Sequence, residues 1–242
     1  MTKFKTHKKK GAAAIITAAV LTLIALFGMA ACSNAAQSGT GTDGSTAPPA
    51  APFVEGDASL ILSPDKLVIN VRVRTADGTT VTVEGCEETT LTSGTETVLH
   101  AKGRLVILKG HITELRCLRN QLTALNVQGC TALQELKCGF NKLTALDVQG
   151  LTALKLLACH GNRLNADAFT KLFNDLPIRQ DSDRANCILY VEKSGFTDDN
   201  HIDFTAPPDL AAAFNNAKTK KRWVMLKLSV DNNEKPPHWI GL

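Results

Sequence analysis

The chain has 242 residues and a formal net charge of +4, from 27 lysine and arginine residues against 23 aspartate and glutamate residues. Five of the lysines precede residue 32 in a stretch without an acidic residue, so the remaining chain has 22 basic against 23 acidic residues and a net charge of −1. This balance leaves no basic surface of the kind that nucleic-acid-binding proteins use, and we expect no nucleic-acid partner. The length suits one elongated domain with caps, or two small domains.

Residues 1–31 are predicted to be a signal peptide, because a lysine-rich start is followed by an apolar run over residues 12–27 and then by small residues. Residues 29–32, Met-Ala-Ala-Cys, resemble a bacterial lipobox. The resemblance implies that the chain is cut before Cys32 and that this cysteine receives acyl chains that hold the protein at a membrane. Methionine at residue 29 departs from the usual leucine, and the alternative is an ordinary secreted protein.

Residues 32–57 are predicted to be a flexible tether, since serine, glycine, threonine, alanine and proline dominate and cannot bury enough surface to fold. Residues 58–103 follow with alternating apolar positions on both sides of Asp77-Gly78, the pattern of a β-hairpin. We predict a β-rich N-terminal cap here; the alternative is a separate small β-sandwich domain.

Residues 104–164 repeat with a period of 21 residues. Segments 112–122, 133–143 and 154–164 share the pattern LxxLxCxxNxL, with isoleucine at the first position of the first copy. Such a period indicates stacked units that cannot bury their apolar faces alone. The pattern resembles the leucine-rich repeat with cysteine at one leucine position. This resemblance predicts an α/β fold, namely a short leucine-rich-repeat solenoid with a parallel β ladder, the β-rich N-terminal cap and an α/β C-terminal cap.

Residues two apart in a strand point to the same face, so the leucine and cysteine of each copy are predicted to face inward. The side chains between them face solvent, and in leucine-rich repeats that concave surface usually binds ligands. The predicted partner-binding residues are Arg116, Leu118, Lys137, Phe140, Leu156 and His160. The resemblance assigns a buried structural ladder to Asn120, Asn141 and Asn162, and the recurring Cys117, Cys138 and Cys159 are predicted to be buried free thiols.

Residues 165–242 are predicted to form an α/β C-terminal cap and a tail. A helix capped by Asn165 is followed by a strand over residues 187–191, a helix opened by Pro207-Pro208 and a strand over residues 223–228. The basic residues 218–222 are predicted to be a solvated helix end; the alternative is a contact with anionic lipid headgroups. Residues 146–154 and 168–177 are similar to segments of leucine-rich lipoproteins of oral and treponemal spirochaetes.

These observations predict a lipid-anchored protein of the bacterial cell envelope, on the outer surface or in the periplasmic leaflet. The resemblance to spirochaete lipoproteins implies a function in adhesion, through binding of a host or bacterial surface protein to the concave sheet face. The alternative is a periplasmic envelope scaffold or assembly factor. We expect no enzyme, cofactor or metal, because the sequence has no catalytic order, phosphate loop or ligand spacing.

Overall fold

The computed structural model describes residues 50–242, apart from residues 55, 194, 196 and 231–237. The predicted signal peptide, Cys32 and most of the predicted tether lie outside the described residues. Residues Thr46–Leu242 form one compact unit. None of the helices in the described part of the chain is long and apolar enough to span a bilayer.

Most of the regular structure is β-strand. In chain order the strands are β1 (Asp57–Ile61), β2 (Val68–Thr75), β3 (Val81–Glu84), β4 (Thr90–Leu91), β5 (Glu96–His100), β6 (Leu105–Lys109), β7 (Ile112–Arg116), β8 (Ala124–Asn126), β9 (Glu135–Lys137), β10 (Leu156–Ala158), β11 (Asn186–Lys193), β12 (Val224–Val230) and β13 (His238–Gly241). Two α-helices, α1 (Ala166–Asp175) and α2 (Pro208–Thr219), and one 3₁₀ turn (Asp181–Asp183) complete the described elements.

The strands form two sheets. One is a five-stranded antiparallel sheet in the order β4-β3-β6-β1-β8. The other has eight strands in the order β13-β12-β11-β10-β9-β7-β2-β5. Five neighbouring strands, β7, β9, β10, β11 and β12, are parallel, and antiparallel strands close both ends.

The three repeated segments contribute β7, β9 and β10, which pair in the register that the 21-residue period gives. Leu115 lies opposite Leu136, which lies opposite Leu157. All three leucines are fully buried, as are the cysteines two residues further on. The core is a single cluster that also includes residues of the five-stranded sheet and of both helices. Apolar burial on this scale is the main stabilising contribution to such a fold.

Asparagine amides connect the segments that follow the parallel strands. The Asn141 Oδ1 accepts hydrogen bonds from the backbone N–H groups of Asn120 and Leu122, both at 3.0 Å, and its Nδ2 donates to the carbonyls of Cys117 and Cys138, both at 2.9 Å. Each amide thereby satisfies buried backbone groups of two neighbouring units, which would otherwise be left unpaired.

The ladder extends beyond the three repeats in both directions. At one end Asn120 exchanges two hydrogen bonds with the backbone of Asn70 in β2, at 2.8 and 2.9 Å. At the other end Asn200 accepts from the Leu164 N–H at 2.9 Å and donates to the carbonyls of Cys159 and Leu189. The ladder therefore joins the repeats to the strands on either side of them.

The helices pack on each other through aromatic side chains. Asn165 caps α1 by accepting a hydrogen bond from the Ala168 N–H, as its position in the sequence predicts. Phe173 of α1 and Phe214 of α2 contact each other and Phe204, with ring centroids 5.0 to 5.6 Å apart. This apolar seam seals one end of the core.

Most residues of the basic run 218–222, at the end of α2, make contacts within the protein. The Lys221 Nζ donates to the carbonyls of Phe173 and Leu176 at the end of α1, at 3.1 and 2.7 Å. The Lys218 Nζ donates to the Leu242 carbonyl at 2.6 Å, and Arg222 pairs with Asp181 at 2.8 Å. These contacts favour a structural role for the run over a contact with lipid headgroups.

The predicted fold class, a short leucine-rich-repeat solenoid with two caps, is wrong. The described chain is mostly β-sheet with two helices, and its strands form one antiparallel sheet and one mixed sheet rather than a solenoid. The repeat strands are three to five residues long and fill only three of the eight positions in the mixed sheet. Strands from outside the repeats pair directly with them, so the flanking segments are part of the same sheet.

Two local predictions also differ from the structure. Strands β2 and β3 flank Asp77-Gly78 but belong to different sheets, so the segment is a corner and not a β-hairpin. The Asp77 side chain accepts a hydrogen bond from the Thr79 N–H, and Gly78 has a φ of 74°, which glycine adopts at low cost. The end of the predicted tail, His238–Gly241, is strand β13 and pairs with β12.

Candidate binding face

The candidate site is the side of the eight-stranded sheet that faces away from the core, which we call the outer face. Side chains alternate along each strand, so the neighbours of the buried Leu115, Leu136 and Leu157 belong to the outer face. In β2 the buried residues are Ile69, Val71, Val73 and Thr75, which leaves the residues between them on the outer face. The face therefore includes strands from outside the repeats.

The predicted contact residues lie on or beside the outer face but differ in exposure. Five are half-buried: Arg116, Leu118, Lys137, Phe140 and Leu156. The sixth, His160, is only 3% exposed. The first five are accessible from solvent, whereas His160 is covered by its neighbours.

Ion pairs within single strands reduce the charge at the centre of the outer face. The Lys137 Nζ lies 2.6 Å from a Glu135 carboxylate oxygen two residues earlier in β9. In β7 the Arg116 Nε lies 3.5 Å from Glu114 Oε1, an ion-pair distance without a hydrogen bond. The centre is thus a mixture of both signs rather than the purely basic patch that Arg116 and Lys137 alone indicate.

Phe140 and His160 form an interlocked aromatic pair in which each ring fills the space above a glycine. A Cβ on Gly139 would lie 2.9 Å from the His160 Nε2, and one on Gly161 would lie 2.7 Å from the Phe140 Cδ1. The two rings meet edge to face with centroids 4.9 Å apart. Both glycines are therefore required for the pair to form.

The residue before each ladder asparagine has a left-handed backbone. Arg119, Phe140 and Gly161 are equivalent in the three repeats, with φ values of 59°, 55° and 66°. Glycine adopts this conformation freely, but arginine and phenylalanine do so at a cost of about 1 kcal/mol or more. In return the Arg119 guanidinium lies 4.1 Å from the centre of the Phe140 ring, a favourable cation–π distance.

His160 is held in its neutral form. Burial lowers the pKa of its imidazole to about 4, and the positive charge of Arg119 contributes in the same direction. Its Nδ1 is buried and has no hydrogen-bond partner among the described residues. The side chain is therefore a packing group of the outer face at neutral pH.

An open pocket of about 380 Å³ lies on the outer face at the end formed by β5, β2 and β7. Its lining combines four cationic residues, one carboxylate and several apolar or amide side chains. The lining residues are Lys66, Val68, Ile69, Asn70, Arg72, Glu96, Val98, Arg116, Leu118, Arg119 and Asn120. Of the predicted contact residues, this pocket brings together Arg116 and Leu118.

The sequence prediction missed most of the other residues of this pocket, because seven of them, between residues 66 and 98, precede the first repeat. Their signal is the alternation in β2, which places Val68, Asn70 and Arg72 on the outer face. What the alternation does not show is that β2 pairs with β7 and so lies beside the repeat strands.

The opposite end of the outer face carries Trp239 in β13, which is 51% exposed. Its ring centroid lies 6.2 Å from that of His160. Val224 of β12 is 48% exposed. Large exposed apolar side chains at both ends of one sheet face are typical of an interaction surface.

The described residues contain no cluster of three or more histidine, cysteine or acidic side chains that would hold a metal ion. Cys159 is fully buried, and its hydrogen bond with Cys187 together with burial raises the pKa of its thiol well above the ordinary value. Its neighbour His160 points to the other side of the sheet, so the two do not form a nucleophile–base pair.

Comparison with known proteins adds no relative. No protein-family model matches the chain, and neither a curated protein nor a solved structure is similar to it. The site must therefore be interpreted from its own geometry.

Proposed function

We propose that the chain is an exported lipoprotein, anchored through Cys32 at the bacterial cell envelope, that binds another protein with the outer face of its eight-stranded sheet. The observation that carries this proposal is the composition of the face. Cationic side chains and exposed apolar side chains lie together around an open pocket, with Val68 and Val98 48% and 47% exposed. Arginine and large apolar groups are the residues from which protein interfaces draw most of their energy.

The anchor and the kind of partner are inferred from the sequence. The resemblance of residues 29–32 to a lipobox supports attachment to a membrane, and the resemblance to spirochaete surface lipoproteins supports a host or bacterial surface protein as partner. The role in adhesion follows from these two resemblances together with the composition of the outer face.

The test compares charge-neutralised variants of the full-length lipoprotein in detergent, each immobilised and exposed to a panel of purified extracellular-matrix proteins and bacterial surface proteins. The face variant combines Arg116→Gln with Lys137→Gln. The control combines Lys102→Gln with Lys220→Gln, two exposed lysines outside the outer face. We expect the face variant to lose about tenfold or more in affinity for the partner that the wild type binds, and the control to bind normally.

Two results would contradict this function. Equal binding by the face variant and the wild type would place the interface elsewhere on the molecule. Protection of the protein from protease added to intact cells would place it inside the envelope and favour a scaffold over an adhesin.

A further inference from the structure

Two arginines on the outer face lie directly opposite each other. Arg72 of β2 and Arg116 of β7 are partners in the antiparallel register, and both side chains project from the same side of the sheet. Like charges at directly opposed positions destabilise an antiparallel pair. The pair therefore calls for an explanation other than the stability of the sheet.

Neither arginine is fully satisfied by the protein. The Nε atoms of Arg72 and Arg116 are both buried without a hydrogen-bond partner among the described residues. The carboxylate of Glu114 lies 3.5 Å from the Arg116 Nε, but its other oxygen is 3.2 Å from the Nε of Arg74, so one carboxylate is shared by two guanidinium groups. A buried N–H donor without an acceptor is costly, and an added acceptor would recover that cost.

The other charged groups of the pocket contact groups within the protein, and the Arg119 guanidinium lies over the Phe140 ring. The Lys66 Nζ donates to the Arg119 carbonyl at 2.7 Å, and the only carboxylate in the lining, that of Glu96, accepts from the Asn70 Nδ2 at 2.8 Å. Among the residues that line this positively charged pocket, the two opposed arginines are those with a buried N–H donor that lacks an acceptor. Guanidinium groups in this arrangement favour a carboxylate or phosphate that accepts from both.

The apolar side chains that line the pocket favour one kind of anionic ligand over others. Val68, Val98 and Leu118 lie beside the arginines, and the two valines are about half exposed. Apolar side chains on both sides of the cationic centre complement a peptide that carries apolar residues next to an acidic one. A free phosphate or a sulfated polysaccharide offers no such apolar neighbours.

We propose that the pocket binds a glutamate or aspartate side chain from an extended segment of the partner, with the carboxylate between Arg72 and Arg116 and the neighbouring apolar side chains on Val68 and Val98. This inference rests on the proposed function, since it names the chemistry of the partner that the outer face binds. It identifies Arg72, which lies outside the repeats, as a main determinant of recognition.

The probe is a fluorescent peptide of about six residues, the usual length of a strand, that alternates valine and glutamate. Its control has glutamine at each glutamate position. Fluorescence anisotropy with the full-length protein should show binding of the acidic peptide and at least about tenfold weaker binding of the glutamine peptide. Arg72→Gln should weaken the acidic peptide about tenfold or more, and Arg72→Lys should give an intermediate affinity because lysine keeps the charge but loses the fork of donors.

A stability measurement separates a binding role from a structural one. If Arg72 serves recognition, Arg72→Gln removes a like-charge repulsion and should leave the melting temperature unchanged or raised while binding falls. A lowered melting temperature with unchanged peptide affinity would show that the arginine serves the fold instead.

Competing ligands complete the test. Phosphatidylglycerol vesicles, heparin and inorganic phosphate are titrated in parallel, and any of these binding more tightly than the acidic peptide through Arg72 would overturn the peptide assignment. So would equal binding of the glutamate and glutamine peptides, or no binding of either. The proposed protein-binding function is tested separately. It is contradicted if the face variant, Arg116→Gln with Lys137→Gln, binds the intact partner protein as tightly as the wild type does.

Discussion

At the scale of single residues, the outer face depends on where glycine is placed. Gly139 and Gly161 leave the space that the rings of His160 and Phe140 occupy, so two adjacent repeats carry a reciprocal pair of one ring and one glycine. The sequence shows the two rings and the two glycines of this pair, since Gly139-Phe140 and His160-Gly161 occupy equivalent positions one period apart. Alternation predicts that the His160 side chain belongs to the outer face. It does not predict its burial, because that depends on the neighbouring rings.

Burial of the neutral His160 makes stability depend on pH. The imidazole pKa is about 4 in the folded protein and 6.5 for an ordinary histidine. Between these values the unfolded chain binds the proton that the folded chain excludes. The free energy of unfolding should therefore fall as the pH is lowered from above 6.5 to about 4, by up to about 3 kcal/mol from this residue. Chemical denaturation of the wild type and of His160→Phe at both ends of this range measures the effect.

The difference between the two proteins isolates His160 from the carboxylates that titrate in the same range. The variant keeps a ring above Gly139 but has no group that gains a proton. The same loss of stability in both proteins on acidification would show that His160 accepts its proton in the folded state without cost.

At the scale of elements, the asparagine ladder joins strands that the repeat alone does not connect. The sequence shows three ladder positions at the 21-residue period, Asn120, Asn141 and Asn162. Asn200 occupies the next position but follows Asn162 by 38 residues, because α1 and β11 intervene. A search for fixed spacing misses it for that reason. Asn70 of β2 is missed too, because its contribution is backbone groups, which any residue carries.

We expect Asn141→Ala to destabilise the protein by about 3 kcal/mol or more, since it leaves two backbone N–H donors and the Cys117 carbonyl unpaired in the interior, while the Cys138 carbonyl still accepts from Asn162. The matched control is Asn165→Ala, which removes the exposed helix cap of α1 and should cost about 1 kcal/mol. Urea unfolding followed by circular dichroism measures both. Equal losses in the two variants would contradict the structural role assigned to the ladder.

At the scale of the whole molecule, local sequence patterns predicted individual strands and helices better than they predicted how the strands assemble into sheets. Period two in residues 114–117 separates inward from outward side chains, whereas Ile112 is buried in the core out of that period, where the register between β2 and β7 shifts. The cap and apolar stripe of α1 lie where the sequence places them. The solenoid prediction failed because β2 and β5 enter the same sheet as the repeat strands. Pairing between strands distant in sequence leaves no local signature, and neither does the passage of the chain from one sheet to the other at Asp77-Gly78.

The same non-local pairing limits what the sequence shows of the candidate site. The repeats identify Arg116 and Lys137, but the pocket with the unsatisfied donors exists only because β2 lies beside β7. Arg72 and Val98 could therefore not be selected from the repeat pattern. A surface assembled from repeat and non-repeat strands is larger than the repeats alone provide, which favours binding of a protein.

Site-specific photo-crosslinking in intact cells tests the central claim most directly. A photoreactive amino acid replaces Val98 on the outer face in one variant and Ile202, which is 55% exposed and lies outside that face, in another. We predict a covalent adduct with one partner protein from position 98 and none from position 202. An adduct from position 202 alone, or from neither position while the partner is present, would contradict the assignment of the outer face as the binding surface.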